Sequence, residues 1–348
     1  MEILIGLIII AVGAFCQSSS YVPINKIKEW KWESFWLTQG VFAYLLFPLL
    51  GALIANPGQG ESLFSLYAAH GSDTLYAIFF GMLWGVGGLT FGLSMRYLGI
   101  ALGQSLALGT CAALGVILPP VIKPLMGKAL AEGDQLTTAV IVGVIVTLLG
   151  IAVIGLAGAM KSKSLSEEEK KEAVKDFNFP KGILIALLAG FMSGCFAIGL
   201  SMAEPIKFQG SKEIFATLPA TLLVTFGGFL VNAAYCLFQN AKNKSWSDYG
   251  KTSLYANNIA FCALAGLLWY SQFFGLSLGK GFLKDSTTLL AFSWCILMAL
   301  NVTFSNVWGI LLKEWKGCNR NTIISLVVGL IILVFSCFLP QLLRNAGV

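Results

Sequence analysis

What most constrains this chain is its run structure: ten apolar stretches separated by short polar breaks, near residues 3–22, 35–55, 74–95, 98–122, 137–160, 182–204, 214–240, 255–279, 286–311 and 321–343. A bilayer core of about 30 Å is crossed by a helix of roughly 20 residues, the length of each run. Only 11% of the 348 residues are charged, against roughly 25% in soluble domains, so a water-facing surface cannot be built around so much apolar material. Membrane-barrel strands would alternate with period two, and these runs do not. The expected fold is an all-α membrane protein with ten transmembrane helices.

The first run reads as a helix that is retained, because Met1–Glu2 opens with an acid where a cleavable signal carries basic residues. Of the 23 Lys and Arg, Lys123, Lys128, Lys207, Lys212, Lys280, Lys284 and Arg344 fall on one side of the implied weave and the other 16 on the opposite side. Cytoplasmic loops retain positive charge, so both termini are expected to face outward. The net charge of +6 is thereby absorbed by topology, and no basic-aromatic cluster points to nucleic acid. Eight cysteines are scattered singly without a CxxC pair; they read as small packing residues, and neither a metal nor a cofactor is expected.

Two echoes run through the chain. Gly81-Met-Leu-Trp84 returns as Gly266-Leu-Leu-Trp269 and Gly92-Leu-Ser94 as Gly275-Leu-Ser277, while GLIIIAVGAF at 6–15 returns as GILIALLAGF at 182–191. Their common order points to a duplicated unit of five helices. An odd number of crossings inverts the second copy, which gives two inverted five-helix repeats at 1–160 and 182–348, joined by a polar cytoplasmic linker at 161–181. Inverted repeats are the architecture of secondary transporters. Gly81, Gly85, Gly88 and Gly92 recur at spacings of four, three and four, and are expected to form one small helical face that lets backbones approach in lipid.

At these residues the chain resembles the L-rhamnose/proton symporters of the drug/metabolite transporter superfamily. The resemblance rests on YVPINKIKEWKWESFW at 21–36, FGMLWGVGGLTFGLSMRYLGIALG at 80–103, GLLWYSQFF at 266–274 and LKEW at 312–315. It implies uptake of a 6-deoxyhexose, with L-rhamnose and a proton as partners, across the bacterial inner membrane.

A pyranose presents an apolar C–H face and a rim of hydroxyls, so its site needs an aromatic plate together with amide or hydroxyl partners. Trp84 and Trp269 occupy equivalent repeat positions, and Trp294 sits near the middle of the ninth run. Stacking plate and interhelical packing both remain open for them. Gln17, Gln104, Asn232, Tyr270 and Gln272 are polar groups inside spans, where they either bind substrate or bond neighbouring helices. The resemblance supports Asn232 and the block Trp269 to Gln272, while Gln17 and Gln104 depart from the family pattern.

Proton coupling needs a group that changes charge, usually a buried carboxylate or a histidine. The sole histidine, His70, lies in a loop. Glu204, before Pro205 at the end of a long apolar run, is the candidate acid, with an interfacial placement as its alternative; it too departs from the family pattern. Arg96 reads as a topology anchor. An intramembrane enzyme would need convergent acids, metal ligands or an activated nucleophile, and the spans offer none. The expected function is a proton-coupled sugar carrier working by alternating access; the alternative is a carrier or exchanger of another sugar or small metabolite, without obligatory coupling.

Overall fold

The protein is described from a computed structural model that covers residues 1–98, 100–163, 179–250, 252–313 and 315–347. Among these residues every regular element is helical. The long ones are α1 (Glu2–Ser19), α2 (Trp32–Gly40) continuing through a π-helical turn at Val41–Leu46 into α3 (Phe47–Ile54), α4 (Gly71–Leu98), α5 (Ile100–Leu125), α6 (Thr138–Lys163), α7 (Phe179–Met202), α8 (Leu218–Asn243), α9 (Thr252–Phe282), α10 (Thr287–Leu311), α11 (Arg320–Ser336) and the short α12 (Leu339–Asn345). Among the described residues nine spans are long and apolar enough to cross a bilayer, or ten when α11 and α12 are taken as one span bent by 47°.

The apolar runs place these spans to within a few residues, with one difference. The fourth run, 98–122, is the helix α5, Ile100–Leu125. The tenth run is broken between α11 and α12, where Pro340 opens the second piece. Its ring fixes φ and removes an N–H, which favours a kink or break in the incoming helix. The expected linker at 161–181 falls for the most part on residues 164–178, which lie outside the described residues.

The chain divides into two compact units. The first comprises Met1–Gly85 and Gly199–Phe282, the second Val86–Ile198 and Leu283–Val348. In the first, α9 lies along α1 at backbone distance. A Cβ at Gly13 would fall 2.9 Å from the Ser271 carbonyl, one at Gly275 3.1 Å from Gly13 Cα, and one at Gly279 2.9 Å from the Gly6 carbonyl. With no hydrophobic drive between helices in lipid, such small faces supply the van der Waals contact. Across the same unit α8 packs on α2 and α3, and Gly81 of α4 abuts the Val224 carbonyl.

The glycine face expected along α4 is only partly used. Gly85 would place a Cβ 2.9 Å from the Gly228 carbonyl, but Gly88 has nothing within 4 Å. Gly92 lies where surroundings are not described. Close approach passes instead to Gly87, where a Cβ would fall 2.6 Å from the Ser193 amide of α7.

In the second unit α6 packs along α11 and α5 along α6 and α10. Gly329 would meet the Gly150 carbonyl at 3.1 Å, and Thr147 Oγ1 donates to Ser336 Oγ at 2.9 Å. α10 is enclosed without interruption from Phe292 to Thr303, as expected of a helix that is apolar all round. A buried ion pair, Lys123 Nζ to Asp134 at 2.6 Å, ties the end of α5 to the following loop.

Candidate functional site

An aromatic cluster in the first unit gathers both echoed tryptophans. Trp84 and Trp269 face each other with ring centroids 5.7 Å apart and planes 31° from parallel. Tyr44 stands edge-on to both, 5.4 Å from Trp84 and 4.7 Å from Trp269. Phe273, one turn after Trp269, adds a further edge contact at 5.2 Å. Both indoles are half-buried and Tyr44 is buried.

Three elements aim these rings. Tyr44 rides on the π-helical turn, a wider turn that re-aims side chains and recurs at functional sites. Trp84 is seated on Gly228 of α8, where any Cβ would overlap the indole. Trp269 stands on the α9 face that lies against α2: a Cβ at Gly266, one turn earlier, would meet Ala43 N at 2.9 Å and the Gln39 carbonyl at 3.2 Å.

Asn232, one turn beyond Gly228, donates Nδ2–H to the Gly228 carbonyl at 2.9 Å and accepts Trp36 Nε1–H at 3.2 Å. Trp36 in turn stacks on Trp32, at 5.4 Å and 17°. Gln39, on α2 between Trp36 and Tyr44, is buried with its Oε1 unpaired. A buried amide oxygen without a donor costs on the order of 1–3 kcal/mol, a penalty that a hydroxylated ligand would relieve. The cluster thus offers indole faces and a tyrosine edge, the aromatic part of what a pyranose requires, and Asn232 and Gln39 are amides on the neighbouring helices α8 and α2.

The other sequence candidates lie elsewhere. Tyr270 is buried with its hydroxyl unpaired against the Gly51 backbone. Gln272 is buried and donates to the Trp269 carbonyl at 3.1 Å. Gln17 is half-buried and accepts from Ser18 Oγ at 3.4 Å. Gln104 sits on α5, but its side chain lies outside the described residues. Trp294 belongs to the second unit, buried and stacked on Phe196 at 5.7 Å and 18°, with Nε1 donating to the Cys111 carbonyl at 3.3 Å. One ring contact and its N–H are thereby used in packing. Glu204 is exposed in the turn after α7.

The sequence reading missed Tyr44, Gln39 and a buried polar cluster built around Glu33 and Asp248. Tyr44 and Gln39 lie in an apolar run with no spacing signal to mark them. Glu33 sits in KEWKWESFW and Asp248 in KSWSDYG, segments that read as solvated breaks.

Comparison with known proteins supplies the remaining information. A family described as L-rhamnose-proton symport protein (RhaT) matches residues 1–342. An L-rhamnose-proton symporter of Mannheimia succiniciproducens is 30% identical over 345 residues, 96% of each chain. Proteins of the same description from Yersinia pestis and Yersinia pseudotuberculosis are 29% identical over 344 residues, again 96% of each chain.

Proposed function

Because the chain belongs to the L-rhamnose-proton symport protein family, we propose that it carries L-rhamnose together with a proton across the bacterial inner membrane, as a multi-pass transporter and not an enzyme. The observation that carries this reading is the family match over residues 1–342, which takes in nine described spans whole and the tenth but for its last turn.

Alternating access between two inverted five-helix repeats, 1–160 and 182–348, of the drug/metabolite transporter type is our reading of the architecture. It is supported by the pairing of helices inside each unit. The second span packs on the seventh in the first unit, and the fourth on the ninth and the fifth on the tenth in the second. Helices five apart in order are the counterparts of a five-helix duplication, and each compact unit draws on both sequence halves.

The sugar is received at Trp84, Trp269 and Tyr44, with Asn232 and Gln39 meeting hydroxyls and Tyr270, Gln272 and Gln17 as further polar candidates of the same unit; Gln104 is a candidate by its sequence position alone. The C–H face and the methyl of a 6-deoxyhexose suit indole, and its hydroxyls suit amides. With centroids at 5.7 Å the two indoles leave no slot between them for a pyranose ring. Sugar contact therefore requires the rings to part, and the π turn beneath Tyr44 is where the backbone can accommodate it. Trp294, a further candidate in the second unit, already stacks on Phe196 and donates its N–H to the Cys111 carbonyl.

Labelled L-rhamnose uptake into proteoliposomes, with and without a pH gradient, tests the reading: absence of saturable uptake rejects the sugar, and indifference to the gradient rejects coupling. The departures at Gln17 and Gln104 leave the sugar's identity open, and the second reading is a carrier or exchanger of another sugar or small metabolite. Competition by a panel of hexoses, 6-deoxyhexoses and pentoses separates the two.

A further inference from the structure

Two facing stripes in the first unit extend the aromatic cluster along α2 and α8. Gly228, Asn232, Tyr235 and Gln239 recur on α8 at spacings of four, three and four, which places them along one helical face. Trp32, Trp36 and Gly40 recur on α2 at spacings of four, and a Cβ at Gly40 would lie 3.6 Å from the Tyr44 ring. The stripes meet in rungs. Trp84 is seated on Gly228 beside Tyr44. Trp36 Nε1–H reaches Asn232 Oδ1 at 3.2 Å, and Trp32 stands edge-on to Tyr235, with centroids 6.2 Å apart and planes 73° from parallel.

The outermost rung is accessible and held from behind. Trp32 is 42% exposed and Tyr235 41%. Trp32 stacks on Trp36 at 5.4 Å and 17°, and Trp36 is fixed in turn by its bond to the buried Asn232. Gln239 Nε2 donates to the Tyr235 hydroxyl at 3.2 Å, so the rung carries a phenol O–H as donor and an amide oxygen as acceptor beside an indole plate. That is the combination a pyranose needs. Trp and Tyr at a membrane edge ordinarily anchor singly in the headgroup layer, whereas these rings pack on one another and the inner indole gives its N–H to a buried amide of the protein. From Gly228 to Tyr235 the rise along α8 is about 10 Å, two turns from the seat of Trp84. The rung lies toward Lys31, Lys242 and Lys244, the side that the Lys and Arg distribution assigns to the cytoplasm.

We propose that Trp32, Tyr235 and Gln239 form a second sugar subsite, on which a 6-deoxyhexose leaving the Trp84 and Trp269 cluster rests before it enters the cytoplasm. The proposal deepens the symporter reading and rests on it. The C–H face of the sugar stacks on the exposed part of the Trp32 indole, and its hydroxyls meet Tyr235 and Gln239. Trp36 is a positioning residue. It backs Trp32 and ties it, through Asn232, to the helix on which Trp84 is seated.

Trp32→Ala, Trp32→Phe and Trp246→Ala in membrane vesicles of both orientations test the subsite. For L-rhamnose entering from the cytoplasmic face, in inside-out vesicles, Trp32→Ala is expected to raise the half-saturating concentration roughly two- to tenfold, the size of one aromatic contact. The rise should exceed that for entry from the outer face in right-side-out vesicles. Trp32→Phe keeps a ring and is expected to restore most of the loss. Trp246, 50% exposed in the turn after α8, is the control for a membrane anchor. A rise that is absent, equal from the two sides, or reproduced by Trp246→Ala overturns the proposal. Should Trp32→Ala fail to insert, footprinting of the wild type decides. Saturating L-rhamnose is expected to slow hydroxyl-radical oxidation of Trp32 relative to Trp246 in peptide mass maps, and an unchanged ratio overturns the proposal. Wild-type vesicles without saturable rhamnose uptake in either orientation refute the functional reading instead, which keeps the two failures apart.

Discussion

Gly228 of α8 lies directly beneath the indole of Trp84, so that any side chain at 228 would occupy the volume of the ring. The seat of one candidate sugar plate is therefore set by the absence of a side chain on a neighbouring helix. Replacing Gly228 with Ala forces the indole from its place at an overpacking cost of about 1–3 kcal/mol. The expected result is weakened L-rhamnose binding in protein that still inserts. Gly88→Ala is the control, since nothing lies within 4 Å of it, and Ala there gains about 0.8–1 kcal/mol of helix propensity. Binding by isothermal calorimetry and melting by scanning fluorimetry check both; equal effects in the two variants would refute the seating role.

Trp36 and Asn232 are coupled through one hydrogen bond, in which the indole N–H occupies the amide oxygen at 3.2 Å. Trp36→Phe releases that oxygen, and Asn232→Ala leaves the N–H of the half-buried indole without its amide partner, at a cost of up to about 1–3 kcal/mol. A double-mutant cycle on melting free energy should give a coupling of roughly 0.5–3 kcal/mol. Asn232→Ala should also raise the KM for L-rhamnose more than Trp36→Phe does. The reverse order would show that the tryptophan contacts the sugar and the amide only supports it.

How much of this was legible in the sequence depends on what kind of signal each feature leaves. Spans are written as run length, and the Trp84 and Trp269 pair as an internal echo, so both could be read before any coordinates. The tyrosine that completes the cluster could not: Tyr44 is one aromatic in an apolar run, brought to the indoles by a π turn that has no sequence pattern. Glu204 attracted notice because it ends an apolar run, yet it is exposed. Glu33 and Asp248 looked like solvated loop acids, and only the fold buries them, by closing the break after the first span over the end of α8. The glycine stripe misled beyond Gly85 because helical spacing reports a face and not which neighbour covers it.

The crossing of α1 and α9 should be intolerant of bulk. A Cβ at Gly275 already reaches Gly13 Cα at 3.1 Å and the Ile9 carbonyl at 3.1 Å, and branched side chains would part the helices. Gly275→Val should lower the melting temperature and the yield of monodisperse protein in detergent. Gly71→Val, at an open position with nothing within 4 Å, should change neither beyond the propensity term. Size-exclusion profiles of the two variants, purified in parallel, are the check.

Lys123 and Asp134 illustrate the cost of a buried charge pair. The side chains are almost wholly enclosed, 4% and 8% exposed, with the ammonium 2.6 Å from the carboxylate, which also accepts the Ala131 amide at 2.9 Å. Removing one partner strands the other, and such single substitutions cost about 3–5 kcal/mol, whereas replacing both with neutral groups of similar size is often close to neutral. Asp134→Asn and Lys123→Met should each destabilise strongly. The double variant should recover most of the loss, because the amide oxygen that replaces the Asp134 carboxylate can still accept the Ala131 N–H and no charge would remain to be solvated. Thermal melts in one detergent give the three values. An additive double variant, as unstable as the sum of the singles, would mean that the pair contributes through its separate contacts and not through its charges.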